Sequence, residues 1–124
     1  MKKFKIFILN LSLFFIAVLL LLIFSSIGFI TSVFAIIWAS ASTNYFRDCA
    51  IELDIFGNIL CQHLFNATFI TSKSKYLFGK PGMTISENLG LNQREKTLST
   101  TGNALAWILD TIDKDHCKNS IRTL

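Results

Sequence analysis

Residues 6–46 contain no charged side chain, and Lys2, Lys3 and Lys5 stand directly in front of that run. A spanning helix needs about 20 predominantly apolar residues. Residues 6–38 alone offer thirty-three, interrupted only by Asn10, Ser12, Ser25, Ser26, Gly28, Thr31 and Ser32. The run is therefore read as a membrane segment, and it limits every other inference about the chain.

Three uses of the run compete. The leading one is a single signal anchor, with the lysines cytoplasmic and the carboxyl-terminal region outward, following the positive-inside tendency. A cleaved signal is the second. Ala39-Ser40-Ala41 has the small-residue form of a cleavage site, but a secretory core is about 7–15 apolar residues long, far shorter than this one. The third is a hairpin of two spans bent near Ser25-Ser26-Ile27-Gly28. It would return Arg47 to the lysine side, yet one glycine is a weak breaker inside lipid. A helix over residues 6–38 would be about 50 Å long against a hydrocarbon core of about 30 Å, so tilt or an emerging Trp38-containing end must absorb the excess.

The expected organisation is an anchor, residues 1–46, and a small helical exposed domain, residues 47–124. The fold class is mostly α, with one long helix and about three short ones. A domain this small has a marginal core of its own, which makes contact with the bilayer or self-association a natural further source of stability. The formal charge of +4 includes the three leading lysines, and the rest of the chain balances nine basic against eight acidic residues. No basic cluster with interleaved aromatics occurs, so no nucleic-acid footprint is present and nucleic acid is not expected as a partner. The expected partners are the lipid bilayer and a protein, a second copy of the chain included.

Beyond the anchor, apolar residues from Ile51 to Phe69 recur at three- and four-residue spacings over residues 48–69, which predicts an amphipathic helix. Residues 71–82 are polar and end in Phe78-Gly79-Lys80-Pro81-Gly82, a turn signal rather than a phosphate loop, since the Walker spacing is missing. Thr84-Ile85-Ser86-Glu87 has the capping-box form and predicts a helix from Ile85 to about Lys96, weakened by Gly90. Ser99 to Gly102 offers a second cap, followed by a helix whose packing Trp107 should dominate. Asp110, Asp113 and Asp115 fall where the dipole of that helix does not favour them, which could mark an interaction surface. Asn66-Ala67-Thr68 fits a glycosylation sequon, a pattern that matters only in a eukaryotic secretory pathway.

Candidate chemistry rests on Cys61-Gln62-His63 and Asp115-His116-Cys117. Thiolate and imidazole are zinc ligands, but the customary two- to four-residue intervals are missing, and residues two apart on a helix point to different sides. A nucleophilic Cys61 or Cys117 with His63 or His116 as base is the other sharp possibility, against which stands a small apolar cysteine beside a capping histidine. Cys49, Cys61 and Cys117 cannot all pair within one chain, although a Cys61–Cys117 bridge is possible outside the cytoplasm. No catalytic residue, metal ligand or cofactor site is assigned from the sequence.

The order Asp54-Ile55-Phe56-Gly57-Asn58, then residues 78–86 with their Thr-Ile-Ser turn, then Leu109-Asp110 and Asp113-Lys114-Asp115-His116-Cys117 resembles a group of small phage and prophage proteins without a settled function. The chain departs from them in its long hydrophobic amino terminus and in a loop lengthened at residues 72–76. The resemblance implies a phage-encoded, bacterial-envelope setting and supplies no active site; by analogy, regulating the envelope during lysis or superinfection would fit a one-span protein with an outward domain. The expected function is that of a membrane-anchored accessory protein acting by binding. A membrane-attached Cys/His enzyme and a holin-like, membrane-disrupting oligomer are the alternatives.

Overall fold

The computed structural model describes residues 1–38 and 44–122. The order is α1 (Lys2–Trp38), α2 (Tyr45–Leu60), α3 (Gln62–Thr68), α4 (Ile85–Arg94), α5 (Thr100–Ile112) and α6 (His116–Asn119). The chain divides into two compact units, Met1–Tyr45 and Phe46–Leu124. The Ala39-Ser40-Ala41 cleavage reading lies outside the described residues.

The first unit is built around α1, the one helix among the described residues long and apolar enough to cross a membrane. None of its residues is buried. The helix is continuous through Ser25 to Gly28, which corrects the hairpin: with no proline to remove a donor, the backbone ladder survives a lone glycine. The Thr31 and Ser32 hydroxyls donate to the Gly28 carbonyl at 3.0 and 2.7 Å, and Ser12 donates to the Ile8 carbonyl at 2.9 Å. These hydroxyls are thereby satisfied within the helix itself.

The second unit has five helices among the described residues, not about three. The helix expected over residues 48–69 is two, α2 and α3, parted by a turn at Cys61 where the Gln62 side chain donates to the Ile59 carbonyl at 3.0 Å. Helical bonds still run across that turn, Cys61 N–H to Gly57 and Phe65 N–H to Cys61. The short α6 is the other addition. Its core is small: Ile70, Phe78, Leu89, Leu98, Ala106 and Cys117, with Phe65, Phe69, Ile85, Leu105 and Leu109 packed around it. Phe65, Phe69 and Phe78 form a mutual aromatic cluster with centroids 4.8–6.2 Å apart. Trp107 is not part of this core. It is 68% exposed, because the face of α5 that turns inward carries Gly102, Leu105, Ala106 and Leu109.

Small residues let the elements close up. A Cβ at Gly90 would collide with the Cys117 carbonyl, and one at Gly102 with the Phe69 carbonyl. Gly90 is thus the close-approach point of α4 and α6, a role the sequence read only as a weak place in a helix. Between α3 and α5 the chain returns as an antiparallel bridge, Ile70 to Leu98, with Thr71 N–H to Thr97 and Ser99 N–H to Phe69, both 2.9 Å.

Residues 71–84 have no strand to pair with, and side-chain amides take that place. Asn58 donates to the Met83 carbonyl at 2.9 Å and accepts from Gly79 N–H at 3.0 Å; Asn66 both donates to and accepts from the Phe78 backbone. Asn88 and Asn92 donate to the Leu77 and Tyr76 carbonyls, each at 2.9 Å. Four asparagines from α2, α3 and α4 therefore grip residues 76–83. Asn58, Asn88 and Asn92 are wholly buried, a costly placement unless every polar atom is paired. Among the described residues no buried side-chain nitrogen or oxygen lacks a partner.

A polar junction beneath a two-ended cleft

Both expected caps form. Thr84 Oγ1 accepts from Glu87 N–H at 2.9 Å, and Ser99 Oγ accepts from Gly102 N–H at 3.1 Å. The reciprocal half of the capping box does not: the Glu87 carboxylate instead takes Arg122, with Nε at 2.9 Å and Nη2 at 2.7 Å. The Ile85 amide at the start of α4 is satisfied from another helix, since Asp54 Oδ1 on α2 accepts it at 2.8 Å. The second oxygen of Asp54 accepts from Ser86 Oγ at 3.0 Å. Asp54 thus fastens α2 to the amino terminus of α4, where a negative charge is favoured.

From Ser86 the chain of contacts continues. His116 Nε2 lies 3.1 Å from Ser86 Oγ, and His116 Nδ1 lies 3.1 Å from Asp113 Oδ2. Asp110 Oδ1 accepts from Cys117 N–H at 2.8 Å, and Asp110 Oδ2 from the Gln93 amide at 3.1 Å. The acidic cluster that looked misplaced at the end of α5 is therefore placed for the start of α6. Asp110 and Asp113 bond groups in its first turn, and Asp115 is its left-handed cap residue with φ 58°. Burial pushes the Asp110 carboxyl up, but the Cys117 amide, the Gln93 amide, the Cys117 thiol and the charge of His116 together hold it below its ordinary value.

The cysteine and histidine pairs do not assemble. Among the described residues no group of three or more His, Cys, Asp or Glu side chains could hold a metal ion. All three cysteines are free, Cys49 exposed, Cys61 half-buried and Cys117 buried, so the Cys61–Cys117 bridge is not formed. His63 is exposed at the start of α3, and His116 turns both ring nitrogens to Ser86 and Asp113, not to a thiol. Cys117 Sγ lies against the Ala106 carbonyl at 3.9 Å. Burial, and then the charge and hydrogen bond of Asp110, push its thiol up to about 12. A wholly buried, protonated thiol is not a nucleophile, which removes Cys117 from the enzyme alternative. Asn66 of the sequon uses its amide nitrogen on the Phe78 carbonyl, so a glycan there would cost the loop one of its grips.

Ser86, His116 and Asp113 stand at the separations of a hydrolytic triad, a combination that sequence reading missed because thirty residues separate Ser86 from His116. The surroundings oppose that chemistry. Ser86 is only 6% exposed, and its hydroxyl donates to Asp54, whose negative charge would oppose an oxyanion forming nearby. The arrangement works instead as a strut joining α2, α4 and α6.

Above this junction lies a cleft in two joined parts. The larger, about 660 Å³, is lined by Arg47, Ile51, Thr84, His116, Asn119 and Arg122, among others. The smaller, about 400 Å³, is lined by the apolar Phe65, Phe69, Ile85, Leu105 and Leu109. Ala50, Asp54 and His116 border both. Arg47 makes no ion pair among the described residues. One end is polar, where Arg47 and the Glu87-paired Arg122 stand with the carboxylates Asp54 and Asp113, and the other is apolar, a combination suited to an amphipathic guest. Comparison with protein-family models, curated proteins and solved structures gives no match.

Proposed function

We propose that the chain is a membrane-anchored accessory protein whose domain acts by holding a protein segment in this cleft. The observation that carries the reading is the cleft's division into a polar end, with Arg47 at its edge, and an apolar end, over a junction whose polar groups are already satisfied. Such a site favours a segment that offers an apolar side chain to Phe65, Phe69 and Leu109 and an acidic group to Arg47. The length and hydropathy of α1 support the anchor, with Lys2, Lys3 and Lys5 cytoplasmic and residues 47–124 outward. The three segments that resemble phage and prophage proteins meet through Asn58 with Gly79 and through Asp54 with Ser86 and His116, while Asp110 and Cys117 bond within the last of them. The resemblance of those segments to phage and prophage proteins is what supports an envelope-facing role in lysis or superinfection control.

Photocrosslinking in intact cells tests this. A crosslinking side chain at Ala50 or Leu105, inside the cleft, should give a discrete protein adduct that Arg47→Glu abolishes, whereas one at exposed Ala104 should give none. Equal adducts at all three positions, or none at Ala50 and Leu105, would overturn the reading.

A further inference from the structure

The direction of one hydroxyl hydrogen sets the charge of the polar junction. Ser86 Oγ lies 3.0 Å from Asp54 Oδ2 and 3.1 Å from His116 Nε2, and a serine has a single hydrogen to give. An ionised carboxylate only accepts, so Asp54 takes it. Turned the other way, that hydrogen would leave two oxygens facing each other at 3.0 Å with nothing between them. Ser86 therefore meets His116 with lone pairs alone, and Nε2 is the donor. On the other side of the ring, Nδ1 lies 3.1 Å from the Asp113 carboxylate, which likewise only accepts. A neutral imidazole has one N–H, whereas this position asks for two.

We propose that His116 is a proton-binding site, held as the imidazolium in the folded domain, and that release of one proton is a switch that loosens α2 from α4. The charged groups around the ring agree with a cation. Asp54 reaches it through Ser86 from α2, Asp110 stands at the end of α5, Asp113 bonds the ring and Asp115 precedes it. The cations that line the same cleft are Arg47 and Arg122, and Arg122 is paired with Glu87 of α4. Lys114 and Lys118, near in sequence, are exposed, Cys117 beside it is a neutral thiol, and α3 brings only Phe65 and Phe69 to the cleft. The His116 side chain is 35% exposed, so solvent can deliver the proton and remove it. When base in the solvent takes the proton from Nε2, that nitrogen becomes an acceptor, the Ser86 hydrogen swings to it from Asp54, and Asp54 Oδ2 loses its donor. Asp54 then holds α4 through the Ile85 amide alone. The second bond is thus present at low pH and lost as pH rises, whether or not the cleft takes a guest.

The test is nitrogen-15 histidine NMR of the full-length chain in lipid nanodiscs, with His63→Gln to assign the two histidines. At neutral pH both His116 nitrogens should carry a proton. Asp54→Asn keeps an oxygen for the Ile85 amide and turns an amide donor toward Ser86, whose hydrogen is then free for Nε2. That variant should show, at the same pH, a proton on Nδ1 only and Nε2 as a hydrogen-bonded acceptor. Asp113→Asn keeps an acceptor for Nδ1 and should leave both protons in place, because the Asp113 side chain is 73% exposed and an exposed ion pair contributes little. Raising the pH should carry the wild type to the Asp54→Asn spectrum. A wild-type ring with one proton at neutral pH, or a second proton lost in Asp113→Asn but kept in Asp54→Asn, would overturn the inference.

Discussion

Single side chains carry more of this domain than their share of surface suggests. Replacing Asp54 by Ala leaves the Ile85 amide and the Ser86 hydroxyl without their acceptor, and should cost about 1–3 kcal/mol, measured as a lower midpoint in urea. Cys117 supplies a pH signature. Its folded thiol is raised above the ordinary 9.0 to about 12, so the unfolded chain releases that proton first as pH rises. The stability contribution is complete below pH 9 and is lost between there and pH 12, so thermal midpoints should fall across that window in wild type and less in Cys117→Ala. Cys117 should resist maleimide in the folded chain while Cys49 reacts at once. The caps at Thr84 and Ser99 were legible in the sequence because a cap is a local pattern. Asp54 was not, since its partners are more than thirty residues away and no short spacing announces them.

At the level of the element, the lesson lies in what helices present to one another. Apolar periodicity located α5 but assigned its packing to Trp107, because a tryptophan outweighs its neighbours in any count of apolar area; a close approach needs Gly102 and Ala106 instead. The same demand makes Gly90→Ala severe. The added methyl meets backbone of α6 that cannot step aside, and should cost about 3 kcal/mol or more, read as loss of cooperative unfolding or of soluble yield. The loop over residues 71–84 was recognised by its glycines and proline, but its shape comes from amides on three helices. Asn88→Ala should raise amide exchange across residues 76–79 while leaving the α1 amides unchanged.

Taken whole, the molecule joins a helix with no buried residue to a domain with a small apolar core. The long charge-free run was legible at sight, since hydropathy over thirty residues leaves few alternatives, and the mostly helical character of the remainder followed from its spacing. The polar junction and the cleft were not legible, as they arise only where α2, α4, α5 and α6 come together. The fully buried asparagines have a calorimetric consequence. Exposing apolar surface raises heat capacity on unfolding and exposing polar surface lowers it, so an interior in which Asn58, Asn88 and Asn92 rank beside Leu89 should show a smaller increment per residue than the usual ~12–15 cal/mol/K. The stability curve of the domain would then be broad and shallow, holding nearly the same free energy from a cold environment to a warm one.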